Sequence, residues 1–400
     1  MSPLAPTAAD ELTLADWTQT IKQSALQELL RVASQPGILS LALGLPAPEL
    51  FPAADYARAV ERVLAHDPVA LQYGPPFRPL KSHIVGLMAR RGVACREEQV
   101  FLTAGAQQGV SLLARLLLNP GGQVLFEETI YSGFQQAVEP FQPEVLTVPT
   151  DPESGMDVEA VESLLRGGAR PAFIYAISNG HNPLSVNMSA EKRARLVELA
   201  EEYRVPVVED DPYGFLFYEQ TPAPLRALSE EWVFYVGSFS KILAPSLRVG
   251  WVILPESLVY KIAALKEGSD IDTSTFAQRS ISAYLDAGHL DAHLAGLRRA
   301  YGERRDAMVR ALAEHFPAEA RWRVPASGVF VWVELPRGAD TGELLRVSVE
   351  RERVAFIPGH AFGVMGSRRA ANCLRLNFSN SDPRRIEDGV ARLGRVLAAM

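Results

Sequence analysis

The chain has 400 residues, of which 48% are hydrophobic, and its formal net charge at pH 7 is -7. This length predicts a large core and two or three domains, and the acidic balance gives no basic surface for nucleic acid. The two cysteines, Cys95 and Cys373, form no disulfide framework and are typical of a reducing compartment. We see neither a secretory leader nor an apolar run near the ~20 residues of a membrane span, so we expect a cytoplasmic protein.

Alternating helices and strands are predicted after a frayed N-terminal arm. Apolar residues at helical spacing indicate a first helix over 16–33, and a turn-rich apolar segment follows over 38–48. Further helices are predicted at about 54–65, 80–91, 110–118, 132–138, 158–165 and 190–203, and strands at 99–103, 124–127, 145–148, 172–177, 205–209, 232–236 and 249–254. This alternation predicts an α/β domain with a mostly parallel sheet, whose ligand lies beyond the carboxyl ends of the strands.

The pattern changes after about residue 270. Helices are predicted at 278–286, 290–316 and 385–397, and short strands at 328–335, 354–357 and 373–378. We interpret these as a smaller α+β unit. The resulting division has an N-terminal arm at 1–50 that joins the small domain, a large domain at 51–285 and the small C-terminal domain at 286–400.

The run from Gly237 to Trp251 follows one of the predicted strands and carries the strongest chemical signal. Ser238 and Ser240 precede Lys241, and Arg248 comes seven residues later. Hydroxyls and a fixed cation suit a phosphate, while a neutral lysine forms a Schiff base with an aldehyde. Pyridoxal phosphate carries both groups. Taken alone, the run is also that of a surface loop with a solvated lysine.

Two other strand ends carry residues that a pyridoxal ring can use. Asp210 or Asp211 can pair with the ring nitrogen, and neighbours in a strand point to opposite faces, so only one of them faces the ring. The alternative is a pair of surface carboxylates. Asn182 and Tyr213 are candidates for hydrogen bonds to the ring's phenolic oxygen, although Asn-Pro is also a common turn.

Further candidates are weaker on their own. Tyr131 follows a strand and can stack on the ring or belong to the core, and a glycine turn at 104–109 opens a helix that can bind an anion. Arg375 alternates with apolar residues and is either a grip for a substrate carboxylate or an exposed edge-strand arginine. His289 and His293 lie four residues apart without a third ligand nearby, so no metal site is predicted.

Taken in this order, the motifs resemble those of fold type I, pyridoxal-phosphate-dependent enzymes of the class I/II aminotransferase family. The likeness runs from about Ile38 to the C-terminus and is closest to the kynurenine/2-aminoadipate branch. It rests on the lysine stretch with Arg248, on the segments 208–214 and 43–52, and on the loop 71–74. The resemblance implies a large domain with a mostly parallel, seven-stranded sheet, a smaller α+β domain, and a homodimer with shared active sites.

The resemblance also implies a role for each candidate residue. Lys241 would bind the cofactor covalently and then move the proton at the substrate α-carbon, while the family spacing to Tyr213 favours Asp210 over Asp211 as partner of the ring nitrogen. Asn182 and Tyr213 would contact the ring oxygen. The remaining roles would be stacking by Tyr131, phosphate binding by Ala106, Gln107, Ser238, Ser240, Arg248 and Tyr73 of the partner subunit, α-carboxylate binding by Arg375, and lining of the substrate pocket by Gly44.

Three departures from the family pattern bear on function. Asn182-Pro183-Leu184-Ser185 stands where the family usually has Asn-Pro-Thr-Gly, which leaves the asparagine but changes the loop. Ala106 replaces a common serine, so only its backbone N–H can serve the phosphate. In the N-terminal helix, Ala25 or Gln27 stands where 2-aminoadipate enzymes have arginine, with Arg31 a turn away. We therefore expect a substrate with a hydrophobic or polar uncharged side chain.

The expected reaction is exchange of an amino group between an L-α-amino acid and a 2-oxo acid by a ping-pong route. The alternative is a lyase, decarboxylase, cyclase or oxidase of an amino acid on the same scaffold, since fold does not fix reaction. A transcription regulator with an aminotransferase-like domain would carry a basic winged helix ahead of the likeness. With the likeness beginning near residue 38, we do not expect that class.

Overall fold

The computed structural model describes residues 13–15, 17–18, 35–364 and 370–400. Most of the helix predicted over 16–33 lies outside the described residues, and so do Ala25, Gln27 and Arg31. None of the helices in the described ranges is both long enough and apolar enough to cross a membrane.

Fifteen strands occur in the described ranges. In chain order they are β1 (Leu39–Ser40), β2 (Val100–Thr103), β3 (Gln123–Glu127), β4 (Glu144–Val148), β5 (Thr150–Asp151), β6 (Gly155–Met156), β7 (Ile174–Ala176), β8 (Val207–Asp210), β9 (Val233–Ser238), β10 (Gly250–Ile253), β11 (Arg321–Trp322), β12 (Phe330–Glu334), β13 (Val354–Ala355), β14 (Ile357–Pro358) and β15 (Cys373–Asn377).

The same ranges contain eleven α-helices. They are α1 (Ala53–His66), α2 (Arg78–Ala89), α3 (Ala106–Leu117), α4 (Ser132–Val138), α5 (Val158–Arg166), α6 (Ala190–Tyr203), α7 (Glu256–Asp270), α8 (Thr275–Asp286), α9 (Leu290–His315), α10 (Thr341–Glu352) and α11 (Pro383–Ala399).

Seven strands form one sheet in the order β2-β10-β9-β8-β7-β3-β4. β10 runs antiparallel to both of its neighbours, and the other adjacent pairs are parallel. The predicted seven-stranded, mostly parallel sheet is therefore confirmed. All residues of β2, β7, β8, β9 and β10 are buried, as expected for strands that helices cover on both faces.

A second sheet forms from the C-terminal part of the chain. Its order is β11-β12-β15-β14, and its three adjacent pairs all run antiparallel. Residues 39–41 of the N-terminal arm join this region, because β1 pairs in parallel with β13 and the Asn377 N–H donates to the Leu41 carbonyl at 2.7 Å. Residues 41–45 consequently lie between the two sheets, where the candidate site is found.

Three differences from the predicted elements have physical reasons. Helix α7 was missed, since only Ile262 and Lys266 are buried in it and it has little apolar periodicity. The single strand expected at 354–357 is divided into β13 and β14, which pair with different partners. Helix α3 begins at Ala106, four residues earlier than predicted, which brings its N-terminus to the edge of the site.

Candidate active site

A cavity of about 330 Å³ opens beyond the carboxyl ends of β8 and β9. Its lining residues are Leu43, Gly44, Leu45, Ala106, Gln107, Val110, Tyr131, Ile177, Asn182, Asp210, Pro212, Tyr213, Ser238, Ser240, Lys241, Pro245, Arg248, Phe330 and Arg375. Every residue to which the resemblance assigns a role is among them except Tyr73. That tyrosine is 81% exposed and lines a separate surface cleft with Leu71 and Thr275.

Lys241 is delivered to the cavity by the turn after β9. The turn is fixed by Phe239, whose ring packs against Trp251 with centroids 5.0 Å apart. The Lys241 Nζ donates to the Gly44 carbonyl at 2.6 Å. Burial, together with the positive charges of Arg375 and Arg248, lowers the pKa of Lys241 to about 8. A substantial fraction of this amine is therefore neutral near physiological pH, as a nucleophile requires.

The two adjacent carboxylates at the end of β8 have separate partners. Asp210 lines the cavity, and its Oδ2 accepts from the Tyr175 hydroxyl at 2.6 Å. Asp211 lies instead against the Arg91 guanidinium at 3.0 Å and accepts from the Tyr235 hydroxyl at 3.0 Å. The alternation of side chains along a strand thus leaves only Asp210 facing the cavity.

Burial raises the pKa of Asp210 to about 7, although the hydrogen bond from Tyr175 opposes that rise. Its Oδ1 is buried and has no hydrogen-bond partner among the described residues. A cationic N–H placed in the cavity would satisfy this oxygen and restore the ionised carboxylate. Tyr175 was missed in the sequence, because within an apolar strand it is indistinguishable from a core tyrosine.

The opposite end of the cavity is built to hold an anion. Helix α3 begins here, after Gly105 at φ +88°. The Arg248 Nη2 donates to the Ala104 carbonyl at 2.9 Å, and the Ser240 N–H donates to the Ser238 hydroxyl at 3.0 Å. A Cβ on Gly105 would lie 2.4 Å from the Arg248 Nη2, and residues with a side chain rarely adopt a φ of +88°, so this position favours glycine. The helix N-terminus and the guanidinium together suit a phosphate.

Arg375 is buried at the far side of the cavity, with 4% of its surface exposed. Its Nη1 donates to the Asn182 Oδ1 at 2.7 Å and its Nη2 donates to the Ala42 carbonyl at 2.8 Å. The guanidinium lies 3.9 Å from the centroid of the Phe330 ring. Burial lowers the pKa of Arg375 to about 10. The edge-strand alternative is wrong, because β15 lies between β12 and β14.

Aromatic and polar side chains complete the walls. The Tyr131 hydroxyl donates to the Gln107 Oε1 at 3.3 Å. The Tyr213 ring meets the Phe330 ring edge to face, with centroids 5.9 Å apart, and burial raises the pKa of Tyr213. A Cβ on Gly44 would lie 2.6 Å from the Phe330 Cζ, so this position also requires glycine. Phe330 was not singled out in the sequence, where it is one apolar residue of a predicted strand.

These residues fit pyridoxal phosphate. A partly neutral lysine amine, a buried carboxylate with an unsatisfied oxygen and an anion cradle all face one cavity. They match the three functional groups of the cofactor, namely its aldehyde, its ring nitrogen and its phosphate. In the altered loop after Asn182, Ser185 lies at φ +54°, a left-handed conformation that favours glycine.

Comparison with known proteins gives a consistent picture. The family model described as aminotransferase class I and II matches residues 47–393. The chain is 36% identical to aromatic-amino-acid aminotransferase 1 of Thermococcus litoralis, over 98% of this chain and 96% of that protein. It is 38% identical to 2-aminoadipate transaminase of Thermus thermophilus, over 95% of each.

Solved structures are similar over the same extent. The crystal structure of alpha-aminoadipate aminotransferase from Thermus thermophilus, complexed with N-(5'-phosphopyridoxyl)-L-leucine, gives a TM-score of 0.89 at 36% identity. The match covers 96% of this chain and 97% of that chain.

Proposed function

The chain belongs to the class I and II aminotransferase family, and from this premise we propose that its cavity transfers the amino group of an L-α-amino acid with an uncharged side chain to a 2-oxo acid. The protein is an aminotransferase and its cofactor is pyridoxal 5'-phosphate. The observation that carries the proposal is that Lys241, Asp210, Arg248 and Arg375 all face one cavity of about 330 Å³.

The residues that would hold the cofactor divide by the group they meet. The Asp210 Oδ1 would accept from the ring nitrogen, Asn182 and Tyr213 would contact the ring oxygen, and Tyr131 would cover one face of the ring, since all four residues line the cavity. The phosphate would be held by the α3 N-terminus at Ala106 and Gln107, by the hydroxyls of Ser238 and Ser240, and by Arg248. When bound, the cofactor supplies an electron sink for charge that develops on the substrate α-carbon.

Lys241 and Arg375 act on the substrate itself. The Arg375 guanidinium binds the α-carboxylate, and its contacts with Asn182 and the Ala42 carbonyl fix its orientation. The Lys241 Nζ would move the proton between the substrate α-carbon and the cofactor. Because burial and nearby cations lower its pKa to about 8, both its neutral and its protonated form are populated near pH 8. Gly44, whose carbonyl accepts from Lys241, leaves room for the substrate.

The proposed preference for substrates with uncharged side chains follows from the expected partners of the charged residues in the cavity. The charged residues that line the described part of the cavity are Asp210, Lys241, Arg248 and Arg375, and each has a partner on the cofactor or the α-carboxylate. The remaining walls include Leu43, Leu45 and Phe330. A side-chain carboxylate placed against them would be desolvated without a partner. The Thermus alpha-aminoadipate aminotransferase holds a leucine adduct, so that relative accommodates an uncharged side chain as well.

The proposal includes a homodimer in which Tyr73 of one subunit reaches the phosphate in the other. The exposed apolar side chains around the Tyr73 cleft support it, since Leu71 is 76% exposed and Ile271 is 65% exposed. We place the protein in the cytoplasm, which agrees with two free cysteines. We retain the division into an arm at 1–50, a large domain at 51–285 and a small domain at 286–400, which agrees with the positions of the two sheets.

Steady-state kinetics with paired donors test the substrate class. We expect kcat/KM for L-leucine or L-phenylalanine to exceed that for L-2-aminoadipate or L-aspartate by at least about tenfold. Equal or reversed preference would contradict the uncharged class while leaving the aminotransferase assignment intact. Release of ammonia, carbon dioxide or peroxide in place of a 2-oxo acid would point to the lyase, decarboxylase or oxidase alternatives, which the comparisons do not support.

A further inference from the structure

A buried histidine–carboxylate pair lies next to the cavity without lining it. The His181 Nε2 lies 3.1 Å from the Glu127 Oε2, and each side chain is only 1% exposed. The His181 Nδ1 and the Glu127 Oε1 have no hydrogen-bond partner among the described residues. Two polar side chains held in the core through one mutual contact are costly to bury.

The pair connects two strand ends that carry site residues. Glu127 is the last residue of β3, and the chain reaches Tyr131 four residues later. His181 directly precedes Asn182. The contact therefore ties the segment after β3, which bears Tyr131, to the segment after the neighbouring strand β7, which bears Asn182.

Asn182 sits in a tight turn that begins at His181. The His181 N–H donates to the Val186 carbonyl at 2.9 Å, and the Ser185 N–H donates to the His181 carbonyl. The Ser185 hydroxyl accepts from the Phe330 N–H at 3.2 Å, which holds the far end of the turn. The His181 side chain holds the near end through Glu127.

The orientation of the Asn182 amide decides its chemistry. Its Oδ1 accepts from the Arg375 Nη1 at 2.7 Å, which leaves the amide nitrogen as the end that can donate to an oxygen in the cavity. A rotation of the turn would therefore disturb two functions together, the donor to the ring oxygen and the support of Arg375.

We propose that His181 and Glu127 are positioning residues, whose buried contact fixes the turn so that the Asn182 amide donates to the cofactor ring oxygen and accepts from Arg375. This inference rests on the proposed function of the cavity, and it assigns a role to two residues outside the lining of the cavity. Neither residue touches the substrate or the cofactor in this account, so both act through Asn182.

The pH at which the absorbance of the bound cofactor changes reports directly on this donor. A hydrogen bond to the ring oxygen stabilises that oxygen as an anion and so lowers the pKa of the nearby nitrogen that joins the cofactor to Lys241. Loss of the donor should therefore raise the midpoint of the spectral titration. We expect Asn182→Ala to raise it by about 0.4–1.1 pH units, the range for one hydrogen bond. His181→Ala should raise it by part or all of that amount, and the double variant should match Asn182→Ala alone.

Conservative variants separate positioning from loss of packing. Glu127→Gln keeps an acceptor for the imidazole N–H and should keep the wild-type midpoint, whereas Glu127→Leu removes the acceptor and should raise it. His83→Gln is the control, because His83 also pairs with a carboxylate but does not line the cavity. Its Nε2 lies 2.9 Å from the Asp286 Oδ1. This control should leave the midpoint unchanged.

Each outcome decides one claim. The positioning role would be overturned if folded His181→Ala had the wild-type midpoint, or if the shifts of the two single variants added in the double variant. The proposed function would survive either result, provided that the wild-type enzyme transaminates. If His181→Ala does not fold, equal midpoints for Glu127→Gln and Glu127→Leu overturn it instead. If the wild-type protein shows no cofactor band at all, the proposed function fails and takes this inference with it.

Discussion

At the scale of single residues, the protonation of Lys241 controls the reaction with an aldehyde. Burial and the nearby cations lower its pKa to about 8, and the neutral amine is the reactive form. We therefore expect covalent uptake of pyridoxal phosphate by the apoenzyme to accelerate about tenfold per pH unit below pH 8 and to level off above it. Stopped-flow absorbance measures this rate. A rate that keeps rising through about pH 10 would indicate an ordinary lysine.

Arg375 provides a second prediction at this scale. Arg375→Ala should lower kcat/KM by about 30-fold to several thousandfold, which corresponds to about 2–5 kcal/mol for a desolvated charge pair. Most of the loss should appear as a raised KM, since the α-carboxylate is bound before and during the reaction. Arg375→Lys keeps the charge without the planar fork and should recover only part of the loss. An unchanged KM in the alanine variant would remove the carboxylate role.

The sequence predicted much of the site at residue level because strand alternation and motif spacing limit the choices. Adjacent carboxylates at the end of β8 had to face opposite ways, and Asp210 is the one in the cavity. Phe330 and Tyr175 escaped notice because an aromatic in a strand reads as core. The Asn182–Arg375 contact joins residues 193 positions apart, and no local pattern reveals such a pair.

At the scale of elements, we expect the N-terminus of α3 to bind the cofactor phosphate together with Arg248. Gly105→Ala should weaken pyridoxal phosphate binding, because a Cβ would lie 2.4 Å from the Arg248 Nη2 at a φ of +88°. Gly121→Ala is the matched control, since Gly121 also has positive φ (+73°) but meets nothing within 4 Å.

Equilibrium titration of both apoenzymes with the cofactor tests this. We expect at least about a tenfold weaker affinity for Gly105→Ala, the effect of losing roughly one charge-assisted hydrogen bond, and little change for Gly121→Ala. Equal affinities for the two variants would show that Arg248 moves away from the new Cβ without weakening phosphate binding.

Element positions were predicted well where periodicity is strong and poorly where contacts decide. Helices α4 and α6 begin and end at the predicted residues. Helix α7 has too few buried residues to show a pattern, and the division between β13 and β14 depends on which strands lie beside them. The start of α3 at Ala106 is set by the turn at Gly105. The spacing of apolar residues carries no information about the backbone conformation of that glycine.

At the scale of the whole molecule, the exposed Tyr73 predicts that one subunit completes the site of the other. At a cofactor concentration too low to fill the sites of Tyr73→Ala, subunits of Tyr73→Ala and Lys241→Ala should regain activity when mixed under conditions that exchange subunits. Half of the dimers are then mixed and each has one intact site, so we expect about a quarter of wild-type activity.

The control for this mixing experiment uses two residues of the same cavity. Lys241→Ala mixed with Asp210→Asn leaves a defect in every site and should give no recovery, because both residues line one cavity in one chain. No recovery in the Tyr73 mixture, with subunit exchange verified by mass, would argue against a shared site.

The absorbance spectrum of the purified protein, recorded before and after addition of one amino acid at a time, decides whether this cavity catalyses transamination. We predict that the cofactor band of the aldehyde form disappears with an amino acid that has an uncharged side chain, that a 2-oxo acid is released, and that adding a 2-oxo acid restores the band. Lys241→Ala should lack both the band and the cycle, with turnover lower by at least on the order of 10²–10⁴. A band that no amino acid changes, or a full cycle in Lys241→Ala, would contradict this account of the site.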